Sequence, residues 1–457
     1  MNLFLEKITP KESCKSMMNN LMNLISDQEL KDTVGIVKRN RRPGPDGLGI
    51  EFYQTMFPII KNDLKDNYNG YLQNGRMLAE TKSSITTLTP KPGPENLIEN
   101  YRPISLLNCD YKIFSKIISQ RLQPILKEII HESQYAQPGR DINDMNTLTR
   151  DLLHDMDISM TDSFFISVDF SKAFDSVCHK FLYQILERYG FPINFINLIK
   201  EMFRDAGTHI LINGYKSKKI KIKAGSRQGD PLSRDVFVMA INPLLIFLSE
   251  HNLIRKYETI SRKQFLMLAY MDDVNFATQS LSSVINTLFY IKKYEKASGL
   301  GLNTQKTKGM FFNKTNIFNV LQLPNITWEE KITILKINHG PGSWVRIQWE
   351  GLLEKFERWL KYYKTFAVTM KAKVNVSKNK LLSMMTYAGT TYPLPTDVKN
   401  AIDKLIIKFI VPFFSVQNHN SAEIEDKISN FAAPISLDGI GIDHITLHTD
   451  LFCSSIY

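Results

Sequence analysis

Apolar residues recur at helical spacing through the first 80 or so positions, and beyond them short strand-like runs alternate with further helical stretches. Between Glu51 and Tyr71 they fall at Phe52, Met56, Ile60 and Leu64, which predicts a long helix. Thr9-Pro10-Lys11-Glu12 reads as one helix start, and Ser26-Asp27-Gln28-Glu29 as another, with an acid three residues after a serine as in a capping box. From about Lys112 to Ile130, Ile113, Ile117, Ile118, Leu122, Ile125, Leu126 and Ile129 make one stripe and predict a buried helix face. Ser84 to Thr89 is strand-like and ends at Pro90-Lys91-Pro92-Gly93-Pro94. Phe164 to Val168 is a short buried strand. His179 to Tyr189 is a helix closed by Gly190, with Pro192 opening the next at its first position. Ile210-Leu211-Ile212-Asn213-Gly214-Tyr215 runs from strand into an Asn-Gly hairpin turn. Pro231 to Leu248 is an apolar helix. Two apolar runs, Phe265 to Ala269 and Val274 to Thr278, flank Tyr270-Met271-Asp272-Asp273 as strand, turn and strand, and a helix then ends near Gly299. Beyond His339-Gly340-Pro341-Gly342, a predicted domain boundary, Trp344 to Phe366 is amphipathic and Leu381 to Ile410 continues the helical pattern. Strands and helices mix without a strict βαβ rhythm, so the expected fold class is α+β with an antiparallel sheet.

Composition changes this picture only in its choice of partner. Of 457 residues, 43% are apolar and 23% charged, which is globular and argues against disorder. No apolar run approaches the ~18 residues of a membrane span. The N-terminus, Met1 to Lys7, lacks both a basic n-region and a long apolar h-region, so no signal peptide and no membrane partner are expected. The expected location is intracellular, in nucleus and cytoplasm. The formal net charge of +11 favours a polyanionic partner, nucleic acid first. Two clusters concentrate it: Lys38-Arg39-Asn40-Arg41-Arg42, and Lys216-Ser217-Lys218-Lys219-Ile220-Lys221-Ile222-Lys223. The second reads equally as a phosphate contact or as an edge strand blunted by lysines. The cysteines, Cys14, Cys109, Cys178 and Cys453, are too far apart for a zinc finger or disulfide framework, and reduced, mostly buried thiols are expected.

Candidate chemistry sits at the Tyr270 turn. Adjacent carboxylates raise each other's pKa and resist joint ionisation, and a divalent cation removes the conflict. Asp169 ends the Phe164 to Val168 strand and supplies a further carboxylate that a rigid sheet can aim into the same cleft. Asp169 and Asp272, with Asp273 in support, form an oxygen ligand set of the kind magnesium accepts, completed by waters and substrate phosphates. Two such ions about 4 Å apart can activate a hydroxyl and stabilise a leaving pyrophosphate.

These residues lie in a longer resemblance. Phe165-Ile166-Ser167-Val168-Asp169-Phe170-Ser171-Lys172-Ala173-Phe174-Asp175 resembles the first palm motif of reverse transcriptases. Gly225-Ser226-Arg227-Gln228-Gly229-Asp230-Pro231-Leu232-Ser233 resembles the second, and Tyr270-Met271-Asp272-Asp273 the third. Ser298-Gly299-Leu300-Gly301-Leu302-Asn303, with Lys306-Thr307, resembles the fourth. Arg42-Pro43-Gly44-Pro45-Asp46-Gly47, Leu88-Thr89-Pro90-Lys91-Pro92-Gly93, Tyr101-Arg102-Pro103-Ile104-Ser105-Leu106-Leu107 and Gly439-Ile440-Gly441-Ile442 are similar to segments of non-LTR (LINE-type) retrotransposon polymerases. The matches run in family order over nearly the whole chain.

The resemblance implies a right-hand polymerase with fingers, an antiparallel-sheet palm and a helical thumb. The implied divisions are an N-terminal finger extension at 1–80, fingers at 81–160, palm at 161–338, and thumb with C-terminal helices at 339–457. The implied reaction is RNA-directed DNA synthesis: a primer 3′-hydroxyl attacks the α-phosphate of a deoxynucleoside triphosphate. The partners are then an RNA template, a DNA primer and dNTPs, and the cofactor two Mg2+ ions, with Mn2+ a possible substitute. Asp169, Asp272 and Asp273 would be the metal ligands, and the Phe170 carbonyl could add one. Phe174 would lie under the incoming sugar and clash with a 2′-hydroxyl. Gln228 would contact nucleotide or template, Lys91 and Arg102 the triphosphate. Lys306 would protonate pyrophosphate as a general acid. Trp344, Trp349 and Trp359 are expected in the thumb-helix core, where an aromatic could also stack on a base. Arg234 stands where the family usually has proline, Arg42 where serine is usual, and Met271 where alanine is commoner in non-LTR enzymes. No endonuclease motif is present, so the chain is expected to be the polymerase portion of a larger element protein or a truncated copy. The rival readings are an RNA-dependent RNA polymerase, which tends to carry an acid at the position of Phe174, and an inactive RNA-binding scaffold, which would have lost a carboxylate.

Overall fold

The computed structural model describes residues 2–410, except 92, 95, 160, 313–325, 341–343 and 367–368. The Gly439 to Ile442 segment, Cys453, and Pro341 and Gly342 of the expected boundary lie outside the described residues. The chain divides into two compact units, residues 1–141 with 162–327, and residues 142–161 with 328–457. Helix Ile142–Ile158 thus groups with the C-terminal segment, which starts at Trp328, and not with the residues on either side of it in sequence. Side-chain bonds explain the regrouping: Asn146 Nδ2 donates to the Tyr387 hydroxyl at 3.0 Å, and Thr390 Oγ1 to Asn143 Oδ1 at 3.0 Å.

The first unit is built on two sheets, which makes it α+β as expected. One runs in the order Tyr101–Leu107, Ser83–Pro90, Gly207–Ile212, Tyr215–Lys216, with Ile220–Lys221 also paired to Gly207–Ile212. It is mixed: Ser83 to Thr87 runs parallel to Gly207 to Leu211, whereas the other pairings are antiparallel. The second sheet is antiparallel, in the order Lys308–Phe312, Ser163–Val168, Asp273–Thr278, Met267–Tyr270. Helix Leu281–Ser298 packs on this sheet's two central strands, whose residues Phe164, Phe165, Ile166, Val274, Phe276 and Ala277 are buried.

The helices start and stop where local chemistry dictates. Ser26 Oγ accepts the Glu29 N–H at 3.1 Å and caps Asp27–Ile36. The reciprocal half of the capping box is absent, because the Glu29 carboxylate takes both prongs of the Arg121 guanidinium at 2.7 Å. Cys109–Ile129 buries the whole predicted stripe from Ile113 to Ile129. Helix Ile50–Asn74 keeps part of the predicted stripe: Leu64 is buried, Met56 and Ile60 are half-buried and Phe52 is exposed, while Tyr53, Tyr68 and Tyr71 complete the buried face. Tyrosine can be buried there because its hydroxyl finds a partner, as Tyr68 does on the Asp110 carbonyl at 2.9 Å. Gly190 closes His179–Tyr189 in the left-handed conformation, and Pro192 caps Ile193–Phe203 from one position outside it. Cys14 and Cys109 are buried, Cys178 is half-buried, and all three are free thiols.

The second unit packs Trp344–Lys364, Met370–Val376 and Thr396–Ile410 around Trp349, Phe356, Leu381 and Ile402. The Leu381 to Ile410 pattern is interrupted: a π-turn at Ser377–Leu382 and the helix Ser383–Gly389 precede a break that Pro393 and Pro395 enforce. Trp349 is core and donates Nε1–H to the Pro393 carbonyl at 2.9 Å. Trp359 is partly exposed and stacks on Tyr363. Among the described residues no helix is long and apolar enough to cross a membrane.

Candidate active site

The antiparallel register of the second sheet gathers the acidic residues. Val274 pairs with Val168, so the strand ends bearing Asp273 and Asp169 lie side by side, and Asp273 pairs with Tyr270 across the turn. Met271 adopts a left-handed φ of 55° and turns the chain so that Asp272 sits at its tip. The expected electrostatic conflict is present. Burial first, then the nearby Asp169 charge, raises the Asp272 carboxyl above its ordinary range. Asp273 is pushed up to about 6 by burial, then by Asp272 and Asp169. Lys306 opposes both shifts and stands 3.8 Å from Asp169 Oδ2.

Asp169 is held from the fourth motif. Asn303 donates its Nδ2–H to Asp169 Oδ2 at 3.0 Å and its backbone N–H to the Asp169 carbonyl at 2.8 Å. Ser171 N–H donates to the Gly301 carbonyl at 2.8 Å. These bonds flank the Phe170–Leu302 bridge and leave the Phe170 carbonyl outside them. The Phe170 ring is buried, so only its backbone can serve a ligand. Among the described residues no three His, Cys, Asp or Glu side chains form a ready metal-holding group. The donors that do face one another, Asp169 and Asp272 with the Phe170 carbonyl nearby in sequence, are hard oxygens whose mutual repulsion a divalent cation would relieve.

The second motif is docked against the first. Gly225 N–H donates to the Val177 carbonyl at 2.8 Å and Ser226 N–H to the Phe174 carbonyl at 2.9 Å. Gly225 has φ +72°, and a Cβ there would lie 2.3 Å from the Asp175 backbone, so only glycine fits. The Phe174 ring is half-buried and packs on Phe237, centroids 4.7 Å apart. Gln228 is exposed at the loop tip, and its carbonyl accepts the Ser105 N–H at 2.9 Å. Arg227 and Asp230, 1% and 3% exposed, form an ion pair at 3.2 Å beneath it. Arg227 also donates to the Lys82 carbonyl at 2.6 Å and lies over the Tyr111 ring, while Tyr111 and Ser115 hydroxyls donate to Asp230 at 2.7 and 2.5 Å.

Lys91 and Arg102 stand on the other sheet. Arg102 pairs with Thr89, and Lys91 N–H donates to the Asn100 carbonyl at 2.7 Å, which puts both at the loop end of one hairpin. The Ser105–Gln228 bond joins that hairpin to the second motif. Asp169, Asp272, Asp273 and Lys306 therefore form one electrostatic cluster, Phe174 and Gln228 share a docked loop, and Lys91 and Arg102 form a separate pair. Sequence reasoning assigned no role to Gln134, Asn303 or the Arg227–Asp230 pair. Asn303 and Arg227 lay inside recognised motifs, but Gln134 carried no local signal, because its partner is 137 residues away.

The sequence pattern of the family described as reverse transcriptase (RNA-dependent DNA polymerase) matches residues 89–338. The chain is 34% identical over 312 residues to the transposon TX1 uncharacterized 149 kDa protein of Xenopus laevis, a match covering 67% of this chain and 24% of that protein. It is 29% identical over 272 residues to the retrovirus-related Pol polyprotein from type-1 retrotransposable element R2 of Popillia japonica, covering 58% and 36%. It is 27% identical over 257 residues to the probable RNA-directed DNA polymerase from transposon BS of Drosophila melanogaster, covering 52% and 27%. The matched regions thus span between 24% and 36% of these relatives' lengths. Among solved structures, telomerase from Candida tropicalis in complex with a TWJ fragment of telomeric RNA aligns over 87% of this chain and 65% of its own, at 14% identity and a TM-score of 0.44. The chain belongs to the reverse transcriptase family, in its non-LTR retrotransposon branch.

Proposed function

We propose that this chain is an RNA-directed DNA polymerase, extending a DNA primer on an RNA template with dNTPs. The observation that carries the reading is the convergence of Asp169, Asp272 and Asp273 on adjacent strand ends, inside the family-matched region. Mg2+, with Mn2+ able to stand in, is the proposed cofactor, in two sites that share Asp169 and Asp272 with Asp273 in support; when bound it neutralises the carboxylates and polarises the phosphate oxygens. The chain's own residues do the rest. The sheet fixes the carboxylates, and Asn303 orients Asp169. Lys306, close to Asp169, is placed to hand a proton to the departing pyrophosphate. Arg102 and Lys91 supply positive charge for the triphosphate, Arg102 as a bidentate fork. Phe174, braced by Phe237, closes the sugar side against a 2′-hydroxyl. Gln228 reaches nucleotide or template from a loop whose base is buried.

On this reading residues 1–80 are a finger extension, 81–160 the fingers, 161–338 the palm and 339–457 the thumb, with helix Ile142–Ile158 packing in the unit that holds the thumb. The relatives' greater length supports a polymerase portion within a larger element protein, whose endonuclease would be a separate module. The test is Mg2+-dependent primer extension on a defined RNA template. The wild-type chain is expected to extend, and Asp272→Asn to lose at least about a thousandfold in kcat, on the scale of removing a group that stabilises transition-state charge. Full activity in that variant would sink the assignment. An RNA polymerase reading would instead require preference for ribonucleotides, which the ring at Phe174 disfavours.

A further inference from the structure

We propose that Gln134 is a positioning residue for the carboxylate turn, an internal clamp that holds Met271 in its left-handed conformation and thereby sets the aim of Asp272. The inference rests on the polymerase reading above for its consequence in catalysis, and on geometry alone for the clamp itself.

Gln134 is fully buried. Its Oε1 accepts the Met271 backbone N–H at 3.0 Å, and its Nε2 donates to the Met271 carbonyl at 3.4 Å. One side-chain amide thus satisfies both backbone groups of the residue at the turn, as a neighbouring strand would. Those groups have no ladder partner otherwise, because the hairpin's register ends at the Tyr270–Asp273 pair. Met271 carries a Cβ at φ 55°, a region that costs a residue of this kind unless its surroundings enforce it.

Gln134 is itself locked. Its Oε1 also accepts the Ala136 N–H at 3.0 Å. Its backbone lies as an added parallel bridge beside Ala269, with Ala269 N–H donating to the Ser133 carbonyl at 2.8 Å and Tyr135 N–H to the Ala269 carbonyl at 2.7 Å. Arg140 lies over the Tyr135 ring, and His131 Nδ1 meets Ser133 Oγ at 2.9 Å, so the loop bearing the amide is braced on both sides. A side chain this constrained can impose a conformation on its partner. The neighbours it controls are the two carboxylates that follow Met271 in the chain.

The experiment compares Gln134→Leu, Met271→Gly and the double variant in the full chain. Glycine takes the left-handed conformation at no steric cost, so a clamp predicts coupling between the two positions. Gln134→Leu is expected to lower kcat at least about tenfold and to raise the Mg2+ concentration needed for half-maximal extension, with primer–template affinity and the dNTP KM within about twofold of wild type. In the Met271→Gly background the same substitution is expected to cost at most about a third as much. Additive losses, or parallel falls in kcat, dNTP KM and template affinity, would overturn the proposal. Hydrogen exchange gives a readout free of activity: the Met271 amide should exchange faster in Gln134→Leu while Val274 to Thr278 keep their protection, and unchanged exchange also overturns it. A wild-type chain inactive in primer extension would defeat the polymerase reading, whereas exchange alone would still decide the clamp. Should Gln134→Leu fail to fold, the similarly sized apolar Gln134→Met carries the same comparisons.

Discussion

On the proposed polymerase reading, Phe174 is the side chain that would carry the choice of sugar. Its ring leans on Phe237 at 33° between planes, and its carbonyl is tied to Ser226, so neither ring nor backbone is free to yield. A rigid wall discriminates by overlap, and overlap disappears when the wall is shortened. Phe174→Val is therefore expected to reduce the preference for deoxy- over ribonucleotides at least about tenfold, read as the ratio of kcat/KM values, with dNTP turnover within several-fold of wild type. An unchanged ratio would place the sugar elsewhere. The carboxylates were legible one by one: Asp169 at a strand end, and Asp272 and Asp273 at a turn between apolar runs. Their support was not. Asn303, Arg227 and Gln134 act across 134, 145 and 137 residues of sequence, on Asp169, the Lys82 carbonyl and Met271 respectively, and no local pattern encodes such distances.

At the scale of elements, the lysine-rich segment resolves into two short strands, Tyr215–Lys216 and Ile220–Lys221, on the exposed edge of the first sheet. Asn213 and Gly214, both at positive φ, make the expected Asn-Gly turn. Edge-blunting accounts for the lysines but not for Tyr215, which is 83% exposed at the tip. Lys221 is paired with Asp205 at 2.6 Å, whereas Lys216, Lys218 and Lys219 have no carboxylate within ion-pair distance among the described residues. An aromatic among unpaired lysines suits a nucleic acid backbone with a base to stack on. Replacing Lys216, Lys218 and Lys219 with glutamine is expected to lower the slope of log affinity against log salt by about 2 to 3 for an RNA template, because each lost phosphate contact contributes about 0.7 to 0.9. An unchanged slope would leave the lysines as edge protection. Periodicity located most of the long helices and the hairpin around Tyr270, but it gave neither helix Ile142–Ile158 nor the strands Tyr101–Leu107 and Lys308–Phe312, and it was least exact where tyrosines substitute for aliphatics. Helix Ile50–Asn74 hides Tyr53, Tyr68 and Tyr71, and a count of aliphatic and phenylalanine positions finds Leu64 but misses these three and includes the exposed Phe52.

For the molecule as a whole, the net charge of +11 favours a polyanionic partner, while stability against acid depends on a few buried groups. In the first unit, Asp273 and Asp110 have carboxyl groups raised to about 6, so folding favours their protonated forms and gains from them as pH falls below that value. The second unit contains the opposite case. His339 ends the strand Ile337–His339, is fully buried, and meets the Tyr392 hydroxyl at 3.1 Å through Nδ1, with no hydrogen-bond partner on Nε2 among the described residues. Burial, then the Arg150 charge, lowers it to about 3. The unfolded chain takes up a proton near pH 6.5 that the folded chain refuses, so stability is complete above that pH and is lost progressively as pH falls toward 3. At pH 5 the loss is about 2 kcal/mol. His339→Gln keeps a hydrogen-bonding partner for Tyr392 and removes the titration. Urea unfolding of both chains at pH 7.5 and pH 5 separates this group from the carboxylates, because those are common to both. The variant is expected to gain about 2 kcal/mol on wild type between the two pH values, and an equal difference at both would mean that His339 accepts its proton in the folded chain.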